Sequence, residues 1–295
     1  MGAAIGDTGR AFSGWRLKIG IEIFMFCSYR ESMQYDLQAL RQRIAEQERG
    51  APKIRPGVPL GATALDNALP DRGLAIGALH ELLPVLHGDF AATIGFGFGL
   101  LTRIVRTRPG FVLWVLPSHQ AFRQGAIYPV GLAAIGFDPD RLIQLSAPKT
   151  RNVLWALEEG LGNSALAAVI GVLPENDRIY DFTASRRLAM RAAENGVTAL
   201  LIRNQPTSES ATAAEMRWSV AAEPSETQRR VGQPMPGLGA PRWQIQLTKC
   251  KRGTPGRWLV EWDRETFSFR LAAPLADRTP ARVHRVARQE WATVS

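Results

Sequence analysis

A chain of 295 residues with 45% hydrophobic content can bury a substantial core, which excludes a disordered or fibrous protein. Lys and Arg outnumber Asp and Glu by 36 to 27, a formal charge of +9, so a polyanion or an acidic protein is the expected kind of partner. Residues 241–295 hold eleven Lys/Arg against five Asp/Glu, and the basic character therefore belongs mainly to the C-terminal part.

Residues 1–32 show no clear period and are expected to form an extension outside the core. Their apolar run at 19–27 is too short to span a bilayer and is interrupted by Glu22. Translation starting at Met33 would remove them, and an intact mass beginning at Met1 would refute that start. Residues 33–59 read as an amphipathic helix and a linker. Leu37, Leu40 and Ile44 recur at helical spacing over 34–47, and three prolines and three glycines crowd residues 49–61. The two cysteines, Cys27 and Cys250, lie far apart without a pairing pattern, which suits a reducing, cytoplasmic setting.

From residue 60 the pattern changes. Short apolar runs at 78–83, 111–116, 142–147, 165–173 and 197–203 alternate with helix-like segments such as 152–161 and 182–194. Continuous apolar strands separated by helices predict an α/β fold, a mainly parallel sheet flanked by helices on both faces. Beyond Arg203, EMRWSVAAE, RWQIQLTKC, RWLVEW and TFSFRLA alternate as strands without intervening helices, and extend that sheet with antiparallel strands. Residues 224–241, rich in Pro, Gly, Gln and Ser, are expected to be a loop. The core domain is placed at 60–276, and residues 277–295 form a basic tail with little to bury.

The stretch LGATALDNALPDRGLAIGALHEL, residues 60–82, resembles the start of the RecA-like ATPase core, where a Leu-Asp pair precedes a glycine turn and the first core strand. In that family the strand leads into a phosphate loop, which here would span residues 84–92. Such a loop needs glycines to wrap phosphate with backbone N–H groups, a Lys for the charge and a hydroxyl for Mg²⁺. Gly88 is the only glycine in the stretch, Asp89 beside it repels phosphate, Phe90 takes the place of the Lys, and Ala91 or Ala92 that of the hydroxyl. The acidic site on the later strand 165–173 is also lost, because its position holds Gly171 or Val172 and Glu175 follows only after Pro174. Ordinary P-loop ATP hydrolysis is not expected, nor is any cofactor or metal. His80 and Glu81, adjacent on a strand, point to opposite faces and cannot share one ion; a histidine on a sheet face is the simpler reading. GFGFG at 95–99 lies within a helix and reads as close helix–sheet packing, not as a dinucleotide fingerprint.

LWALEEGL, RRLAMRAAE, MRWSVAA and RGTPGRWLVEW, in this order and spacing within residues 33–276, resemble the ImuA family of RecA-like proteins of bacterial mutagenic DNA repair. The resemblance implies a non-catalytic accessory factor in SOS-induced, error-prone translesion synthesis. It would act with ImuB, a catalytically inactive Y-family polymerase relative, and through it with an error-prone C-family DNA polymerase. RecA and single-stranded or primed DNA are further candidate partners, and no membrane is expected. Lys249 and Lys251 resemble the Lys-x-Lys that in RecA-type recombinases reaches the neighbouring subunit's nucleotide. With Arg252 and Arg257 they are candidate DNA-phosphate contacts, against the plainer reading of a solvated basic hairpin. Trp243, Trp258 and Trp262 are candidate stacking platforms for single strands, with core packing the expected role for most of them. Arg278, Arg282, Arg285 and Arg288 make the tail a candidate partner-binding segment. Two alternatives belong to other classes: a DNA-dependent ATPase with an unconventional site at Lys249 and Lys251, and a SulA-like inhibitor of cell division.

Overall fold

The computed structural model describes residues 57–118, 127–174, 179–203, 210–226, 237 and 239–273, together with two short N-terminal strands, β1 (Arg16–Leu17) and β2 (Ile21–Met25). The expected helix at 34–47 and the tail at 277–295 lie outside the described residues. In chain order the elements continue with α1 (Thr63–Ala68), β3 (Leu79–Pro84), α2 (Phe90–Thr107), β4 (Phe111–Pro117), α3 (Pro129–Ala134) and β5 (Leu142–Ala147). They go on with α4 (Thr150–Leu161), β6 (Leu166–Leu173), α5 (Phe182–Asn195) and β7 (Thr198–Arg203). The last strands are β8 (Met216–Glu223), β9 (Arg242–Cys250), β10 (Gly256–Asp263) and β11 (Ser268–Leu271).

All the described strands join one sheet in the order β1-β2-β5-β4-β6-β7-β3-β8-β9-β10-β11. The six from β5 to β8 run parallel, and β8 to β11 are antiparallel neighbours. The difference follows from the sequence. Every residue of β3, β6 and β7 is buried, as strands covered on both faces require, whereas β9 and β10 mix buried and open positions.

Helices cover the parallel part from both sides. α1, α2 and α3 join one apolar core with the inward faces of β3, β4, β6, β8, β9 and β10, while α4 and α5 build a second core on the opposite face. α5 begins at Asp181, whose carboxylate accepts from the Ala184 N–H at 2.7 Å, and ends at Gly196 in the left-handed region at φ +63°. The GFGFG run does lie inside α2, and it brings the helix close to the sheet. A Cβ on Gly97 would stand 3.2 Å from Leu82, and one on Gly99 would meet the Phe269 ring at 2.6 Å. The segment His87–Thr107 is long and apolar enough to cross a membrane by composition, and its burial against the sheet is the simpler account of that apolar character.

Two boundaries differ from the sequence expectation. Residues 21–25 of the stretch read as lying outside the core pair antiparallel with β5, Ile23 opposite Leu145. The open side of β5 offers unpaired backbone groups, and IEIFM is a short β-prone run able to take them. The stretch read as a linker is core at its C-terminal end: Val58 and Leu60 are fully buried, and Val58 exchanges backbone hydrogen bonds with Leu74 at 2.8 Å each way.

Candidate functional site

The first core strand, β3, lies at the middle of the parallel part between β7 and β8, and the turn after it feeds straight into α2. Strand, turn and helix N-terminus are the parts from which a phosphate site is built. Here the turn is short. Only Val85 and Leu86 separate β3 from a single 3₁₀ turn, His87–Asp89, and α2 starts at Phe90.

Asp89 closes this turn with its own carboxylate. Oδ2 accepts from the Leu86 N–H and Oδ1 from the Ala222 N–H at the end of β8, both at 2.9 Å. These two backbone donors are thereby taken up by an internal carboxylate. Phe90, which the sequence reading set at the place of a Lys, packs partly buried against the α2-side core. The first hydroxyl of the helix, Thr93, is buried and donates to the Asp89 carbonyl at 2.9 Å. Gly88 stands exposed with open space beside it. Gly171 lies fully inside β6 between Val115 and Leu201, and a Cβ there would meet Leu157 of α4 at 2.5 Å. A side chain at this position would have to displace that of Leu157. Among the described residues no group of three or more His, Cys, Asp and Glu stands together to hold a metal ion.

Beneath the turn, adjacent residues of β3 face opposite cores. His80, fully buried on the α2 side, has Nε2 2.8 Å from the Ala75 carbonyl, and burial lowers its pKa to about 4. Glu81, fully buried on the α5 side, accepts at Oε2 from Arg217 Nε at 2.7 Å, and at Oε1 from the Tyr180 hydroxyl at 2.5 Å and the Thr212 hydroxyl at 2.6 Å. Arg217 also donates to the Ser210 carbonyl at 2.9 Å, and the Arg203 guanidinium lies 5.3 Å from the Tyr180 ring centre. Burial, then the charge and hydrogen bond of Glu81, push the Tyr180 hydroxyl well above its ordinary range. Tyr180 and the 212–217 stretch, both distant from β3 in sequence, meet on this one carboxylate. Sequence reasoning paired Glu81 with His80 and set both aside. The available signal was its charge within a continuous apolar run, because a strand buried on both faces holds a carboxylate only beside a cation.

The candidate basic contacts are mostly engaged with the protein itself. Lys249 turns inward and donates to the Thr212 carbonyl, and burial, then Lys251 and Arg217, lower its pKa. Lys251 pairs with Glu215 at 3.8 Å, and Arg252 bridges Glu215 and Asp71 at 3.4 Å each. Arg257 stands exposed on β10. Trp243 and Trp262 are buried among Phe96 and Phe269, and Trp258 is partly buried against the same core, so none of the three stands out as a stacking platform. The tail arginines Arg278, Arg282, Arg285 and Arg288 lie outside the described residues.

No protein-family model matches the chain. It is 29% identical over 250 residues to Protein ImuA of Caulobacter vibrioides, in each of two strains, and the match covers 79% of this chain and 96% of the relative.

Proposed function

We propose, from the ImuA-family membership that this kinship supports, that the chain is a non-catalytic, RecA-like accessory factor of damage-induced, error-prone translesion DNA synthesis. It works in the cytoplasm, bridging or recruiting an ImuB partner and, through it, an error-prone C-family DNA polymerase. A central strand that runs through a turn into a buried helix supports the RecA-like part of this reading. The observation that carries the non-catalytic part is the closed turn after β3, where Asp89 holds the Leu86 and Ala222 N–H groups and Phe90 fills the place of a lysine.

Two measurements test the two parts. Purified chain given ATP, Mg²⁺ and single-stranded DNA is expected to show no turnover, and turnover lost on substitution of Lys249 and Lys251 would overturn the non-catalytic part. A pull-down with ImuB from the same organism is expected to capture it, and absence of capture at both low and moderate salt would overturn the bridging part.

A further inference from the structure

α4 and α5 lie side by side on one face of the sheet, joined where Arg187 reaches Glu158 at 2.8 Å. Their inward residues, such as Leu154 and Leu157 of α4 and Leu188 and Ala192 of α5, fill the second core. Three large apolar side chains are left outside that core: Trp155 of α4 is 44% exposed, and Phe182 and Met190 of α5 are 49% and 52% exposed. A lone exposed apolar residue is ordinary, so the weight lies in how these three are grouped. Phe182, Arg186 and Met190 stand at steps of four and make one outward ridge of α5. Trp155 stands one turn before Glu158 and so flanks the place where the two helices are joined.

The charge of this face is unbalanced, and the excess lies on α5. From Phe182 to Ala193 the sequence holds Arg186, Arg187 and Arg191 and no carboxylate. Arg187 is taken by Glu158. Arg191 bonds the Glu158 main-chain carbonyl at 3.4 Å, and neither it nor the exposed Arg186 has an ion pair among the described residues. By contrast Arg217, Arg242 and Arg252 each meet a carboxylate. On α4, Arg151 and Glu159 flank Trp155 at steps of four and offset each other. A helical ridge with apolar side chains and two guanidinium groups lacking counter-ions is complementary to a second helix that bears apolar side chains and carboxylates. Single-stranded DNA suits it less, because Met190 offers no stacking surface and two open cations give few phosphate contacts.

We infer that the outer face of α4 and α5 is the docking surface for an acidic amphipathic helix of a protein partner. Its apolar side chains lie against Trp155, Phe182 and Met190, and its carboxylates pair with Arg186 and Arg191. This assignment rests on the bridging reading above and says where on the chain the bridged protein is held.

The probe is purified ImuB of the same organism, and the quantity read is its Kd for the unmodified chain and for four variants. Trp155→Ser, Arg186→Glu and Met190→Ser change exposed positions and should leave circular dichroism unchanged. Each is expected to raise Kd roughly tenfold, as the loss of an anchor residue does. Arg264→Glu, on the exposed turn between β10 and β11, should leave Kd as it is. An unchanged Kd in all three face variants overturns the docking surface and leaves bridging intact. Absence of binding by the unmodified chain overturns bridging, and this surface with it. A tenfold loss in Arg264→Glu as well would mean attraction to overall charge, which also overturns the assignment. So would a labelled single-stranded oligonucleotide that the unmodified chain binds and the three face variants do not, with ImuB still held, because the face would then belong to DNA.

Discussion

Glu81 and Asp89 are carboxylates at the two ends of one strand-and-turn unit, and they do opposite kinds of work. Glu81 is fully buried in β3, where Arg217 and two hydroxyls donate to its carboxylate. Asp89 sits at the solvent rim and spends its oxygens on two backbone N–H groups. A carboxylate removed from water needs a charged partner, whereas one at the rim can serve as a turn clasp. Glu81→Ala is accordingly expected to have the largest effect. It leaves Arg217 buried without its counter-ion and is expected to cost roughly 3–5 kcal/mol in urea unfolding. Arg217→Met added to it should recover part of that loss, and a double variant no more stable than Glu81→Ala would show that the stranded charge is not the main cost.

The neighbour of Glu81 gives the next effect, through pH. Burial lowers the His80 pKa to about 4 in the folded chain, against 6.5 when unfolded. Between these values the unfolded state binds more protons, so stability rises with pH and is lost as pH falls from about 6.5 towards 4. The full loss is roughly 3 kcal/mol at about 1.4 kcal/mol per pKa unit. Unfolding measured at several pH values should show this slope, and His80→Leu should flatten it while lowering stability at neutral pH, where the Ala75 carbonyl loses its partner.

Tyr180→Phe removes one of the three donors to Glu81 and keeps the ring beside Arg203. A hydrogen bond to a charged group contributes about 1.5–3 kcal/mol, so the loss should fall below that of Glu81→Ala. The same variant removes a hydroxyl whose ionisation is held far above its ordinary range by burial and by Glu81. A loss equal to that of Glu81→Ala would mean that Tyr180, and not Arg217, keeps the carboxylate in place.

What was legible in the sequence depends on how local its cause is. LIQLSA and RWQIQLTKC form strands over the spans that their apolar runs and alternation predict, because burial on two faces or on one is written directly into residue order. The expectation that the turn after β3 holds no phosphate rests on local causes too, the residue types at Gly88, Asp89, Phe90 and Ala91. That Asp89 would reach the Ala222 N–H, 133 residues away, depends on β8 lying next to β3, and no local pattern carries strand order. The same holds for Glu81 and Arg217, and for Gly171, whose missing side chain reflects Leu157 on a helix across the sheet. The short run at 21–25 gave too little signal to be read as a strand, and its place was set by the open side of β5. The lysines of LTKCKRG looked available from sequence because their partners, Thr212, Glu215 and Asp71, lie elsewhere in the chain.

Asp89→Ala is expected to be the mildest of these changes and the one that bears most on function. Leu86 and Ala222 lose a carboxylate acceptor at an exposed rim where water can replace it, so the cost should stay near 1 kcal/mol, that of a lost helix cap. The backbone donors then stand open, but Phe90 brings no positive charge to the turn and Thr93 still bonds the helix backbone, so no affinity for ATP with Mg²⁺ should appear. Titration of both proteins with a fluorescent ATP analogue checks this. If the substituted chain binds nucleotide and the unmodified chain does not, the carboxylate alone had closed a site that is otherwise complete. The turn after β3 would then be a blocked nucleotide site, and the accessory reading would need a nucleotide-bound state. If neither binds, the loss is shared among Asp89, Phe90 and the missing hydroxyl, and the turn serves as a structural clasp between β3, α2 and β8.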